Sequence, residues 1–353
     1  MNRPIGYYVH HHGDGHRQRA MAIGSMLENV TLIGTGVAGR VGPLSFLDLP
    51  DDRLGEDFTG IDHAERPSVL HYAPLDHEAI RQRTALMSGW IAQARPRLMV
   101  VDVSVEVAML ARLASVPTVY VRLSGRRVDH PHLDAFRGAV ALLAPFFEAL
   151  DDDDVPAWVR KKTYYAPGIV RLHSEERAVD KGVVLVVLGR GGDIANGDRW
   201  AAAARSMPER QWRILGPCTA PSDAPDNLDL RGWVNNVGKH IGEADVVIGG
   251  AGDGVVSAVL AARRPFICLP EPRPFAEQLS KARRLEATGG AVVRYDWPAT
   301  KDWPGLIIMA IQKAERWPAC LTGREGAERV ASWLDSLPSA MLTKRRISGG
   351  PRD

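Results

Sequence analysis

Ala244–Gln278 reads ADVVIGGAGDGVVSAVLAARRPFICLPEPRPFAEQ. Val246, Val247 and Ile248 make the short apolar run of a buried parallel strand, and it ends in a loop carrying Gly249, Gly250, Gly252 and Gly254. The apolar stretch that follows predicts a helix opening near Val255, and Phe266 to Leu269 predicts a second strand. Strand, glycine loop and helix start are how an α/β sheet builds an anion pocket. Backbone N–H groups and the helix dipole converge there, where side chains are absent. The same device recurs at residues 9–16 and 183–193. Glycine loops in both halves of one chain predict two domains closing on a phosphorylated ligand.

At 353 residues the chain suits two α/β domains. Its 45% apolar and 24% charged residues are those of an ordinary soluble globular protein. A net charge of only +2 gives no overall basic character, so nucleic acid is not an expected partner. Cys218, Cys268 and Cys320 have neither paired nor metal-type spacing, which points to a reduced, cytoplasmic compartment. Ile5–Val9 runs straight into histidines without the apolar core of a signal peptide, and no apolar run approaches a membrane span. Peripheral membrane contact stays open.

Residues 1–165 alternate strands (Ile5–Val9, Val30–Ile33, Leu98–Val101, Thr118–Val121) with helices (Arg17–Leu27, Glu78–Arg95, Glu106–Ala114). Short turns such as Ser115-Val116-Pro117 fit βα units over a parallel sheet. Residues 36–77 are irregular, and 166–181 reads as a linker approached through a pattern-breaking stretch from Trp158. A second alternating series fills 182–320. Residues 321–340 predict a helix packing back on the first domain, and the polar end, 341–353, predicts an unstructured tail. The fold class is α/β, with two doubly wound Rossmann-like domains facing a central cleft.

The order of these pieces resembles the GT-B glycosyltransferases, especially the branch containing the peptidoglycan N-acetylglucosaminyltransferase. The match is strongest from Arg231 to Ala291, and over the first domain it is mostly topological beyond the loop His12-Gly13-Asp14-Gly15-His16. The resemblance implies inverting, metal-independent transfer from a nucleotide-diphosphate sugar, UDP-linked, to an acceptor hydroxyl, with no cofactor.

Candidate residues divide by role. Gly13 and Gly15 allow close ligand approach, and His16 would take the proton of the attacking hydroxyl; the plainer role is a helix-end contact. Four histidines within seven residues invite a metal, but the glycines break a continuous helix and no carboxylate motif completes a ligand set. Asp102, at the carboxyl end of a parallel strand, would orient His16 or merely cap the helix that follows.

On the donor side, Gly189, Arg190 and Gly191 face the diphosphate by resemblance, with Arg190 either neutralising it in place of a metal or lying as a solvated loop arginine. Trp233 and Val234 match the segment that reads the base; a core tryptophan closing a turn is the alternative. Gly250, Gly252, Asp253 and Gly254 hold the phosphates, although a carboxylate there repels them unless it faces away or meets a sugar hydroxyl. Glu277 and Gln278 match the pair that grips the sugar hydroxyls. The family's ribose-binding glutamate is replaced by Ala258. Arg122–Arg127 and Asp151–Asp154 read as solvated charge. A nucleotide-sugar hydrolase or epimerase on the same pocket, or an inactive binding subunit, are the competing functions.

Overall fold

The computed structural model describes residues 3–11, 14–56, 58–62, 66–169, 179–189, 195–322 and 326–347. The first half runs β1 (Ile5–Val9), α1 (Asp14–Gly24), β2 (Val30–Gly34), β3 (Ser45–Asp48), α2 (Glu78–Ala94), β4 (Leu98–Asp102), α3 (Val105–Leu113), β5 (Thr118–Val121), α4 (His130–Gly138), β6 (Ala141–Ala144), α5 (Ala157–Lys162) and β7 (Thr163–Tyr165). The second runs β8 (Asp180–Val187), α6 (Gly197–Arg205), β9 (Gln211–Leu215), β10 (Leu228–Gly232), α7 (Val237–Glu243), β11 (Ala244–Gly249), α8 (Asp253–Ala262), β12 (Phe266–Cys268), α9 (Glu277–Thr288), β13 (Val292–Val293), α10 (Trp303–Glu315) and α11 (Gly326–Ile347).

Both sheets are wholly parallel, ordered β3-β2-β1-β4-β5-β6-β7 and β10-β9-β8-β11-β12-β13. Central strands such as β1 and β4 are buried on both faces, which is why they read as unbroken apolar runs. In each sheet the chain winds outward from the first strand, then crosses back to its other side. The order therefore reverses between β1 and β4, and again between β8 and β11. Crevices at the carboxyl ends of such switch-point strands are where open α/β sheets bind ligands.

Each half lends a segment to the other. Val330, Ala331 and Leu334 of α11 are buried with Ile5, Ala20 and Ile23 of the first sheet's core. Trp333 stacks on Tyr164 with ring centroids 4.5 Å apart. In return Phe146, Phe147 and Leu150, just after β6, enter the core built by Leu185, Val247 and Phe266.

Three readings need correcting. The stretch from Trp158 is no approach to a linker: α5 and β7 complete the first sheet as its edge, their amphipathic residues hiding the pattern. Helix α11 continues to Ile347, through the first residues of the polar end that predicted a tail. Arg122 and Asp151 are buried, not solvated. Guanidinium and carboxylate meet through two bonds of 2.8 and 2.7 Å.

Candidate functional site

The first switch point carries the imidazole and the carboxylate. His16 lies in the first turn of α1, and Asp102, fully buried, ends β4. His16 Nδ1 is 3.0 Å from Asp102 Oδ1. The alternative role for Asp102 does not hold: Ser104 caps α3, its Oγ accepting from the Val107 N–H at 3.2 Å. Between them Val103 is held at φ +60°, a strained conformation for a β-branched residue and one that recurs at functional turns.

Sequence reasoning missed the third member. Arg19 Nη2 donates to both Asp102 oxygens at 2.9 Å and lies 3.1 Å from His16 Nδ1. Its i+3 spacing from His16 on one helix face was the available signal. Burial pushes the Asp102 carboxyl up, but Arg19 and then His16 outweigh it and hold the group at about 2. Asp102 is therefore ionised at any working pH. With Nδ1–H donating to Asp102, the lone pair of His16 sits on Nε2, as a general base requires.

The second switch point carries the glycine loop. Gly252 caps α8, so the N–H groups of Asp253, Gly254 and Val255 have no partner within the helix. Among the described residues, a Cβ built on Gly252 or Gly254 meets nothing within 4 Å, nor does one on Gly15 or Gly189. None of the four has a positive φ, so neither packing nor backbone strain demands glycine there. What the glycines share is their place after β1, β8 and β11, with no described atom in the way of a ligand. Gly250 differs: its Cβ would stand 2.7 Å from Gln278 Oε1.

That contact separates the expected sugar-gripping pair. Gln278 Oε1 accepts from the Ala251 and Glu271 N–H groups, both at 3.0 Å, so its carbonyl braces the glycine loop. Glu277 instead reaches across the cleft, where Arg127 Nη2 donates to its Oε2 at 3.2 Å. The same crossing is made by backbone, Arg126 N–H to Phe275 O at 2.7 Å. Gly125 is needed there, since it sits at φ +104° and a Cβ would come 2.5 Å from Phe275 O. Phe275 and Ala276 both hold positive φ, +57° and +52°. The two loops are thus fitted to each other. Asp253 faces Lys281 and forms an ion pair with it.

Trp233 is no core residue. It is 53% exposed beyond β10, while Val234 packs on the second core. Ala258 is buried. Gly13, Arg190 and Gly191 lie outside the described residues.

Among the described residues, two clusters bring three potential ligand atoms together: His71, Asp129 and His132, and His11, Asp51 and Asp52. The first is built as a hydrogen-bonded chain. Asp129 receives His71 Nε2 at 2.9 Å and His132 Nδ1 at 2.8 Å, while Arg127 Nη1 stands 3.2 Å from His132 Nε2. A cation bound at Nδ1 would turn the Nε2–H of His132 against a guanidinium, so the arrangement favours the neutral, metal-free ring. In the second cluster Asp52 is paired with Arg83 at 3.2 Å.

With this geometry in hand the comparisons are informative. No family model matches the chain. A UDP-N-acetylglucosamine--N-acetylmuramyl-(pentapeptide) pyrophosphoryl-undecaprenol N-acetylglucosamine transferase of Clavibacter michiganensis subsp. michiganensis is 29% identical over 116 residues. That stretch is 31% of this chain and 32% of the relative, so the match spans about a third of each. The solved structure of Acinetobacter baumannii MurG superposes with a TM-score of 0.64 at 16% identity, covering 94% of this chain and 99% of that one. The spinosyn rhamnosyltransferase SpnG, solved with thymidine diphosphate, gives 0.63 at 16%, covering 94% and 100%.

The fold is GT-B.

The GT-B cleft runs between the two switch points, and His132 supplies a test of how its wall is built. Burial, then Arg127, pushes this imidazole down to about 4 against the pull of Asp129. Between pH 6.5 and 4 the unfolded chain therefore binds the proton that the folded one refuses, and stability rises with pH across that window. Stability should fall by about 2 kcal/mol from this group between pH 7 and pH 5. Urea midpoints at the two pH values check it, and His132→Asn should flatten the difference.

Proposed function

We propose that this protein is a glycosyltransferase that moves a sugar from a nucleotide-diphosphate donor to an acceptor hydroxyl. The observation that carries the reading is the pairing of the two switch points. One presents an imidazole set against an ionised carboxylate, and the other a helix start with free N–H groups and open glycines. His16 Nε2 takes the acceptor proton as the hydroxyl oxygen bonds to the anomeric carbon. The bond from that carbon to the diphosphate breaks on the opposite face, giving inversion. Asp102 stabilises the imidazolium as it forms, and the N–H groups of Asp253–Val255 with the α8 dipole receive the charge of the leaving diphosphate.

Residues 1–165 form the acceptor side, 166–181 the linker and 182–320 the donor side, with Gly189, Arg190, Trp233 and Val234 toward the nucleotide. Glu277 is the group of the Glu277-Gln278 pair left to meet sugar hydroxyls, once Arg127 shares it. Arg190 compensates charge without a metal. The setting is cytoplasmic. Among the described residues no helix is long and apolar enough to cross a membrane, and a lipid-linked acceptor would be met by peripheral contact.

Calorimetric titration with UDP, GDP and dTDP, with and without magnesium, tests the donor side. One of the three should bind, equally well in both conditions. Gly254→Val should abolish that binding while leaving the thermal midpoint nearly unchanged, since its side chain would enter open space. Binding of none by the wild type overturns the donor reading.

A further inference from the structure

Lys281 is the one charged side chain in α9 that is wholly buried, with 0% exposure. Lysines are almost never buried so fully unless paired. Its Nζ bonds Asp253 Oδ1 and stands 5.7 Å from the Phe146 ring, which belongs to the segment lent by the first half. Asp253 occupies the first turn of α8, among the N–H groups left open for an anion. Its second oxygen, Oδ2, is buried and has no hydrogen-bond partner among the described residues. Arg19, across the cleft, feels the Asp253 charge only through space. Lys281 is thus the direct compensation for a carboxylate placed where a leaving diphosphate would need positive potential.

We propose that Lys281 is a positioning residue for the donor's diphosphate. By binding Oδ1 it turns the Asp253 carboxylate off the helix end and cancels its charge, so that a nucleoside diphosphate can take the N–H groups of Asp253–Val255. The proposal rests on the donor reading of the glycine loop and adds a residue to it. An uncompensated, largely shielded carboxylate beside the phosphates is a like-charge contact that water screens poorly. The sequence hid the pair because its members are 28 residues apart on different helices.

The experiment is a two-residue cycle read by calorimetry with UDP and dTDP. Lys281→Met, which leaves the carboxylate bare, should weaken nucleoside diphosphate binding by at least about tenfold. Adding Asp253→Asn to it should restore affinity to within about threefold of wild type, since no buried charge remains. Lys281→Gln keeps an N–H for Asp253 without the charge. It should repeat the loss, and it serves in place of Lys281→Met if that variant fails to fold. Rescue separates the idea from a merely structural role, in which removing a second native residue would not bring binding back. Equal affinity in the wild type and all the variants, or loss without rescue, overturns the role of Lys281 alone. No binding by any of the proteins, wild type included, overturns the donor reading beneath it.

Discussion

Replacing Arg122 by methionine should cost about 3–5 kcal/mol of stability, the size expected when one partner of a fully buried ion pair is removed. Arg122 is 2% exposed and Asp151 1%. The carboxylate also accepts from Tyr165 Oη at 2.6 Å, and burial followed by this bond pushes the tyrosine pKa up. The guanidinium lies 5.7 Å from the Phe146 ring centroid. Removing Arg122 leaves a carboxylate with water excluded, answered by the Tyr165 hydroxyl, the Asp152 N–H at 3.1 Å and a distant Arg160 at 3.8 Å, none of them a close cation. Asp151→Asn should cost less, because the amide still accepts one bond from the guanidinium. Arg122→Met with Asp151→Leu should recover most of the loss, since a well-packed apolar pair replaces two desolvated charges. Urea unfolding of the four proteins checks the order. The effect should reach beyond the first sheet, because the segment this pair anchors carries Phe146 and Phe147 into the second core.

How far the fold could be read in advance follows from where its information lies. β11, the glycine loop and α8 are legible because everything that specifies them is local: an apolar run, residues without Cβ, then a helical stretch. β4 and β8 are legible for the same reason. β3, α5 and β7 are not, because a three- or four-residue edge strand with no buried residue, or a six-residue helix made of AWVRKK, has no period long enough to register. α4 starts on an Asp129 cap with Pro131 in its first turn, signals that count only once a helix is suspected there.

The site divides along the same line. His16 and Asp102 could be named because one lies in a glycine loop and the other ends an apolar strand. That they touch, 86 residues apart, is a property of the β1–β4 switch point. Charged side chains resist such reading most. Arg19, Arg122, Asp151 and Lys281 each look like solvated surface until their partners are known, and all four are buried. Glu277 and Gln278, adjacent and similar in sequence, are sent to opposite tasks by a helix turn that aims one across the cleft and the other under the loop.

His16→Ala should lower turnover by about 10²–10⁴-fold while leaving nucleoside diphosphate affinity within about twofold of wild type. The separation follows from the geometry. His16 belongs to the first sheet's switch point, and the helix start that would hold the diphosphate belongs to the second. Loss of the base therefore removes an interaction made in the transition state and none made by the bound nucleotide. Asp102→Asn should give a smaller loss in turnover, because the amide can keep the ring oriented but no longer opposes the charge that develops on it. It should also cost stability, since Arg19 then faces a neutral partner in a buried setting. Arg19→Met is the more revealing variant. Burial works against the guanidinium, but Asp102, with lesser help from Tyr7 and Asp253, keeps it firmly charged. Without it the ionised Asp102 loses the guanidinium that donates to both of its oxygens, and nothing then fixes the carboxylate against His16 Nδ1. Turnover in Arg19→Met should fall by about tenfold or more while nucleoside diphosphate affinity stays within about twofold of wild type. Release of nucleoside diphosphate from the donor class found by calorimetry reads the first, and the calorimetry itself the second. Unchanged turnover would mean that Arg19 only completes the packing around Asp102.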